Sequence, residues 1–318
     1  MTPMIIDCDP GHDDAMALLY AAKTVDLIGI TTVFGNTTVE QTTRNALSIC
    51  RLAGLDVPVA KGMSKPLVTP APPVVTADMH GANGIAGADL PEPDRDPVAE
   101  HAVTFIIEQA RRHRGELVLA GIGALTNIAM ALKLEPRLVD WLAGITVMGG
   151  STTIGNITPL AEYNIYCDPE AASVVFNCGL PIVMAGLNVT RQAGVGDRHV
   201  ERLRATGGPV GKAFGDLMQF YLTRSREVFN LSAASMHDPC AIIPYVEPSL
   251  MTLQDAHVHI ELASPQLRGM TACDLRKVNS RNTSVIEGNA APNAKVAVAI
   301  EGDAAVDHVI EIIAGYDA

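Results

Sequence analysis

Asp7-Cys8-Asp9-Pro10-Gly11-His12-Asp13-Asp14 places four carboxylates within eight residues near the start of a 318-residue chain. The apolar run Met4–Ile6 precedes it and predicts a strand that ends in acids. Pro10-Gly11 turns the chain. Asp13–Lys23 then carries Ala15, Met16, Leu18 and Leu19 on an apolar helical face. Leu27–Thr32 predicts a second strand, and Thr38–Ala53 a second helix with Val39, Ala46, Leu47, Ile49, Cys50 and Ala53 at three- and four-residue steps. Strand and helix alternate from the first residues. Such alternation predicts an α/β fold with an open, mostly parallel central sheet flanked by helices, a Rossmann-like core.

The pattern continues outward. Val98, Ala102, Phe105, Ile106 and Gln109 mark a helix, Glu116–Ala120 a buried strand and Leu125–Leu134 another helix. Gly144–Met148 and Pro181–Met184 read as strands around a helix at Pro169–Cys178. Lys212–Phe229 and Val306–Ile313 read as helices, and residues 251–300 as more strand-like. Thr69–Pro97 holds Pro70, Pro72, Pro73, Pro91, Pro93 and Pro97, and a loop this long in a compact domain is usually functional or mobile. With no repeat and no linker, residues 1–318 read as one domain, with 69–97 and 221–236 as active-site loops.

Composition narrows the class. Hydrophobic residues make up 48% and charged residues 18%, enough for a large core. A net charge of −12 opposes binding to nucleic-acid phosphates or anionic membranes. The one basic run, Arg111-Arg112-His113-Arg114, falls at a predicted helix end, where cations oppose the dipole. The six cysteines form no C-x-x-C pair and read as reduced, buried thiols. The N-terminus leads straight into a strand, and no apolar run is long enough to span a membrane. The expectation is a cytoplasmic protein.

Four neighbouring acids raise one another's pKa unless a cation intervenes. Helix capping accounts for one or two of them, but not four. A hard divalent cation with oxygen ligands is the natural partner. In open α/β sheets, ligands collect beyond the carboxyl ends of the strands. Other polar residues follow predicted strands in the same way: Gly35-Asn36, Thr126-Asn127, then Asn156, Glu162, Asn164 and Asp168, and finally His237-Asp238-Pro239. Singly, each has a plain reading as a turn or cap residue. Their shared location points to one site.

These residues resemble the inosine–uridine-preferring nucleoside hydrolases along essentially the whole chain. The likeness rests on the opening motif, Ile30-Thr31-Thr32-Val33-x-Gly35-Asn36, Gly123-Ala124-Leu125-Thr126-Asn127, Met148-Gly149-Gly150, Glu162-Tyr163-Asn164 and His237-Asp238-Pro239. The resemblance implies a nucleoside-hydrolase-like fold and Ca²⁺-dependent hydrolysis of the N-glycosidic bond of purine or pyrimidine ribonucleosides. It implies one Ca²⁺ per chain, held by Asp9, Asp14, Asp238 and the backbone carbonyl of Thr126. Asp13 and Asn164 would hold the ribose 2′-hydroxyl, Asp238 the 3′-hydroxyl, and Asn156 and Glu162 the 5′-hydroxyl. Asp9 would be the general base, Asn36 would orient the water, and His237 would be the leaving-group acid. His80, Tyr221 and Phe229 would face the base. Pyrimidine-preferring members carry a tyrosine and a glutamine where this chain offers Phe229 and Ser225. The resemblance also implies a homodimer or homotetramer. It leaves Asp7 without a role.

Three other readings compete. Asp7-x-Asp9 at a strand end also resembles phosphohydrolases of the haloacid dehalogenase type, with Asp7 as nucleophile. Gly121-x-Gly123 hints at a dinucleotide fingerprint but lacks its third glycine. An EF-hand fails because Leu18 stands where a glutamate is required. A catalytically silent nucleoside-binding relative is the remaining alternative within the family.

Overall fold

A computed structural model describes residues 1–69, 77–276 and 290–318. The strands are β1 (Pro3–Cys8), β2 (Asp26–Thr32), β3 (Val59–Lys61), β4 (Leu117–Gly121), β5 (Leu142–Met148), β6 (Ile182–Ala185), β7 (Gly194–Val195), β8 (Ala234–Ser235), β9 (Met251–Ile260), β10 (Thr271–Asp274) and β11 (Ala294–Ile300). The helices are α1 (His12–Thr24), α2 (Val39–Ala53), α3 (Ala77–His80), α4 (Ala102–Arg112), α5 (Thr126–Leu134), α6 (Leu138–Trp141), α7 (Tyr163–Cys167), α8 (Pro169–Phe176), α9 (Leu187–Thr190), α10 (Asp197–Ala205), α11 (Pro209–Phe229), α12 (Ile243–Val246) and α13 (Gly302–Ala314).

Nine strands form one sheet in the order β10-β9-β11-β6-β5-β4-β1-β2-β3. Neighbours from β3 through β11 run parallel, while β9 is antiparallel to both β11 and β10. The mostly parallel sheet predicted from the alternation is therefore present. Alternate residues of β1 feed opposite faces: Met4 and Ile6 join a core under α1, α2, α11 and α13, and Ile5 joins one under α4, α5 and α8. Burial on both faces is why β1 reads as an apolar run rather than an alternating one.

Caps set the helix ends. Thr38 accepts a hydrogen bond from the Gln41 amide at the start of α2, and Gly54 closes it with φ 64. Asp168 caps α8 ahead of Pro169, accepting from the Ala171 amide. The stretch 221–236, expected as a loop, instead begins as the last turns of α11, which stops at Asn230 with φ 54. The predicted loop 69–97 contains α3 among its described residues, and residues 70–76 lie outside them. Among the described residues, no helix is long and apolar enough to cross a membrane.

Sheet order decides where a site can form. From β1 the chain moves outward through β2 to β3, and β4 then returns to the other side of β1. The crevice between the carboxyl ends of β1 and β4 is the switch point where such sheets bind ligands. The Ile122 amide donates to the Asp7 carbonyl across it at 2.8 Å.

Candidate active site

Asp9 leaves β1 at this switch point, and Asp13 and Asp14 follow in the first turn of α1. The Asp9 amide donates to Asp14 Oδ1 at 3.1 Å, and the Gly11 amide donates to Asp14 Oδ2 at 2.9 Å. Asn36 closes over both acids. Its amide donates to Asp9 Oδ2 at 2.6 Å, and its Nδ2 donates to the Asp9 carbonyl at 3.1 Å and to Asp14 Oδ2 at 3.3 Å. Gly11 is required by close approach: a Cβ there would meet Asn36 Nδ2 at 2.8 Å and His80 Nδ1 at 2.9 Å. A Cβ on Gly35 or on Gly123 would strike the Asp9 carboxylate.

Asp238 arrives from far along the chain, opening a 3-10 turn whose Pro239 needs no amide partner. Carboxylate oxygens of Asp13, Asp14 and Asp238 all lie within 4.8 Å of one another. All three residues are buried, and so is Asp9. Burial pushes Asp13 up to about 8 and Asp14 up to about 6, although Asp13 accepts from the His237 and Asp238 amides and Asp14 from those of Gly11 and Asp9. Burial and the neighbouring acids drive Asp9 and Asp238 well above the usual carboxylate range. An all-oxygen, buried, mutually repelling donor set fits a hard divalent ion.

The acids open on a cavity of about 380 Å³. That size suits one small-molecule ligand. Asp9, Asp13, Asp14, Asn36, His80, Asn156, Glu162, Asn164, Tyr221, Phe229, His237 and Asp238 all line it. The predicted residues are thus brought together, with one exception.

That exception is Thr126. It begins α5 and does not line the cavity, and its hydroxyl donates to Asp168 at 2.7 Å. Ile122 lines the cavity at this strand end instead. The chain passes the crevice before α5 begins at Thr126. Nothing in the sequence singled out Ile122, because an apolar side chain carries no signal of a strand end at a cavity.

Glu162 caps α7, its Oε1 accepting from Asn164 N and its Oε2 from Gly150 N and Ile165 N. Burial still raises it to about 7. Asn164 Nδ2 donates to the Ile122 carbonyl at 2.9 Å and to the Met148 carbonyl at 3.2 Å, which orients the amide. His237 Nδ1 lies 2.7 Å from Thr190 Oγ1. Burial and the Arg191 charge hold His237 down to about 4. Tyr221, Ser225 and Phe229 reach the cavity from one face of α11. Arg191, Met79 and Leu187 also line it, and nothing in their local sequence singled them out.

Asp7 does not face the cavity. Its Oδ1 accepts from Thr31 Oγ1 at 2.6 Å and Asn127 Nδ2 at 2.7 Å. Asn127 also donates to the Thr32 carbonyl and accepts from the Met63 amide. Asp7 therefore ties β1, β2 and α5 together beneath the site. A nucleophile must reach its substrate, so the phosphohydrolase reading with Asp7 attacking fails.

The inosine–uridine preferring nucleoside hydrolase family model matches residues 4–307. The chain is 41% identical over 292 residues to the pyrimidine-specific ribonucleoside hydrolase RihA of Shewanella oneidensis, covering 90% of this chain and 91% of that protein. It is 36% identical over 315 residues to the pyrimidine-specific ribonucleoside hydrolase RihB of Shigella flexneri, covering 98% and 97%. Among solved structures, the purine-preferring ribonucleoside hydrolase from Gardnerella vaginalis superposes with a TM-score of 0.91 at 33% identity, covering 99% of each chain. The family model spans nearly the whole chain, and the chain belongs to the inosine–uridine preferring nucleoside hydrolases.

Proposed function

We propose that this chain hydrolyses the N-glycosidic bond of both purine and pyrimidine ribonucleosides, using one Ca²⁺ held by Asp9, Asp14, Asp238 and the backbone carbonyl of Ile122. One observation carries the reading: a buried aspartate group at the β1/β4 switch point shares one cavity with hydrogen-bonding side chains and an aromatic wall. When bound, a hard divalent ion lowers the pKa of water and grips vicinal hydroxyls.

The remaining steps belong to the side chains. Asp9 takes a proton from the attacking water, whose oxygen bonds to C1′. The C1′–N bond breaks, its electron pair goes to the base, and His237 supplies the proton that the base acquires. A lowered pKa makes the His237 imidazolium scarce at neutral pH but a strong acid once formed. Asp13 and Asn164 receive the 2′-hydroxyl, Asp238 the 3′-hydroxyl, and Asn156 and Glu162 the 5′-hydroxyl. Asn36 clamps Asp9 and Asp14 in register and orients the water. Carboxylates around the sugar favour the positive charge that develops on it. Positioning of this kind lowers a barrier by at most about 7–11 kcal/mol. A site that pairs with hydroxyls also rejects deoxyribose, whose absence leaves polar groups unpaired.

His80, Tyr221 and Phe229 form the base compartment. The relatives' names divide between pyrimidine-specific and purine-preferring. Ser225 is small, and Phe229 has no hydroxyl with which to select one base edge, so both classes fit. Six free cysteines suit a reducing compartment, and we assign the protein to the cytoplasm as a homodimer or homotetramer.

The test is a panel of purine and pyrimidine ribosides and their 2′-deoxy analogues, assayed for free base with Ca²⁺ or chelator. Base release from ribosides of both classes, abolished by chelator, is expected. Binding without release would identify a silent relative, and chelator-resistant release would overturn the metal.

A further inference from the structure

Asn156 lines the cavity from the loop that follows β5, and its exposed side chain makes no hydrogen bond to another described residue. Backbone contacts set its place. The Asn156 amide donates to the Ala161 carbonyl at 3.1 Å, as do the amides of Ile157 at 3.3 Å and Thr158 at 3.4 Å. The Gly155 amide donates to the Pro159 carbonyl at 2.9 Å, and Thr158 Oγ1 accepts from the Ala161 amide at 2.8 Å. Gly155 is buried in the bend, where a Cβ would strike the Ala161 carbonyl oxygen. All of these bonds lie within the loop, so they shape it without fixing it to the rest of the molecule.

Beside Asn156, a bond from outside the loop does that. Arg191, the residue after α9, donates from Nη2 to the Gly155 carbonyl at 2.8 Å. The Gly155 carbonyl and the Asn156 amide belong to one planar peptide group. Ala161 grips its N–H and Arg191 its C=O, so the plane that carries Asn156 is held at both ends. A charged donor makes the second grip a strong one. Arg191 also stands on firm ground: the Leu187 amide donates to the Gly150 carbonyl and Asn188 Nδ2 to the Ala297 carbonyl of β11, each at 2.9 Å. The reaction itself has no use for a guanidinium here. Positive charge develops on the sugar, and a free cation in the cavity would oppose it. Arg191 is nonetheless the one lysine or arginine among the described residues lining the cavity, and its hydrogen bond goes to the loop.

We infer that Arg191 is a positioning residue: by clamping the Gly155–Asn156 peptide to α9, it holds the Asn156 side chain at the 5′ end of the sugar. This rests on the hydrolase reading above, in which Asn156 receives the 5′-hydroxyl. Arg191 acts through the Gly155 carbonyl and not on the substrate. Its loss is therefore felt only by substrates that carry the hydroxyl Asn156 receives.

Arg191→Met keeps the stem of the side chain and removes its donors. Hydrogen exchange of the full chain, read by mass spectrometry, should show residues 153–161 exchanging several-fold faster in this variant, with the central strands unchanged. Unaltered exchange in the loop would overturn the inference whatever the activity. In kinetics, the kcat/KM of uridine or inosine is divided by that of its 5′-deoxy analogue. The ratio isolates the 5′-hydroxyl, because the two substrates share base, leaving group and metal. In the wild type it should be roughly ten, the worth of one hydrogen bond. Arg191→Met should remove most of that preference, and a preference that survives would overturn the inference. Asn156→Ala should also remove most of it, and adding Arg191→Met should then change the ratio no further, since two residues that act through one contact are not additive. A further fall in the double variant would mean that Arg191 meets the substrate directly, and would overturn the positioning role. A wild type indifferent to the 5′-hydroxyl would remove the inference and leave the hydrolase reading standing. Failure to cleave any riboside would remove the hydrolase reading, and the exchange result would still decide whether Arg191 clamps the loop.

Discussion

Asp9 is held at three points by Asn36 and Asp14, and burial and its acidic neighbours favour the protonated form. Asp9→Ala should therefore remove metal binding and turnover together, with kcat falling on the order of 10²–10⁴-fold from loss of the base alone. Calorimetric titration with Ca²⁺ and a free-base assay check this; a variant that still binds Ca²⁺ tightly would separate the two roles. His237 lines the same cavity, and its backbone amide donates to Asp13. His237→Ala should slow inosine cleavage by on the order of 10²-fold or more but leave p-nitrophenyl riboside nearly untouched, since that leaving group needs no proton. Equal losses on the two substrates would take the acid role away from His237. Asp7 marks a limit of residue-level reading. It lies in the same motif as Asp9, and only its hydrogen bonds to Thr31 and Asn127 identify it as a brace.

Among the elements, α11 carries the most consequence for substrate choice. Tyr221, Ser225 and Phe229 recur every four residues, so they share one face. Tyr221 and Ser225 are buried, whereas Phe229 is 51% exposed. Phe229→Ala should thus raise KM several-fold for nucleosides with little change in kcat or in melting temperature, because the ring contributes to the cavity mouth and little to the core. Steady-state kinetics with a thermal melt decide it, and a large drop in melting temperature would mean that the ring packs structurally. The periodicity of 212–229 made the helix legible. It could not reveal that the helix packs by its C-terminal turns against the site, because that depends on α3 and α1 meeting it through His80 and His12.

At the scale of the whole molecule, the buried acids make stability depend on pH. Asp7 and Glu162 are raised from 3.8 and 4.5 to about 7, both by burial. Between the unfolded and folded values the folded chain holds more protons, so these groups make it less stable as pH rises from about 4 to about 7 and change little beyond. The buried His12 and His237, held down to about 4 by burial, act in the opposite direction, adding stability as pH rises from about 4 to about 6.5, and Glu135 and Asp274, lowered by their arginine neighbours, do so only weakly because their ion pairs are screened by solvent. In chelator, the melting temperature should be higher near pH 6.5, where the histidine contributions are largely complete, than near pH 8. Saturating Ca²⁺ should raise it most at the higher pH, where the site acids are ionised and binding shifts the folding equilibrium. Calorimetric scans at both pH values measure this. A metal-free protein more stable at pH 8, or equal stabilisation by Ca²⁺ at both, would contradict the account.

Local chemistry alone determined the alternation of strands and helices, the aspartate motif and most of the cavity residues. Periodicity, caps and carboxylate density are properties of neighbouring residues, and they survive in a linear reading. The tertiary structure decided what depends on residues far apart. It put Ile122 rather than Thr126 at the cavity, because β4 ends there and the chain has turned into α5 by residue 126. It brought Asp238 to Asp13 and Asp14, and His12 to His80 and Ala86. Four acids in a row say only that a cation is wanted. Which oxygens come together, and which side chains line the cavity with them, follow from strand order and from hydrogen bonds that no local sequence pattern contains.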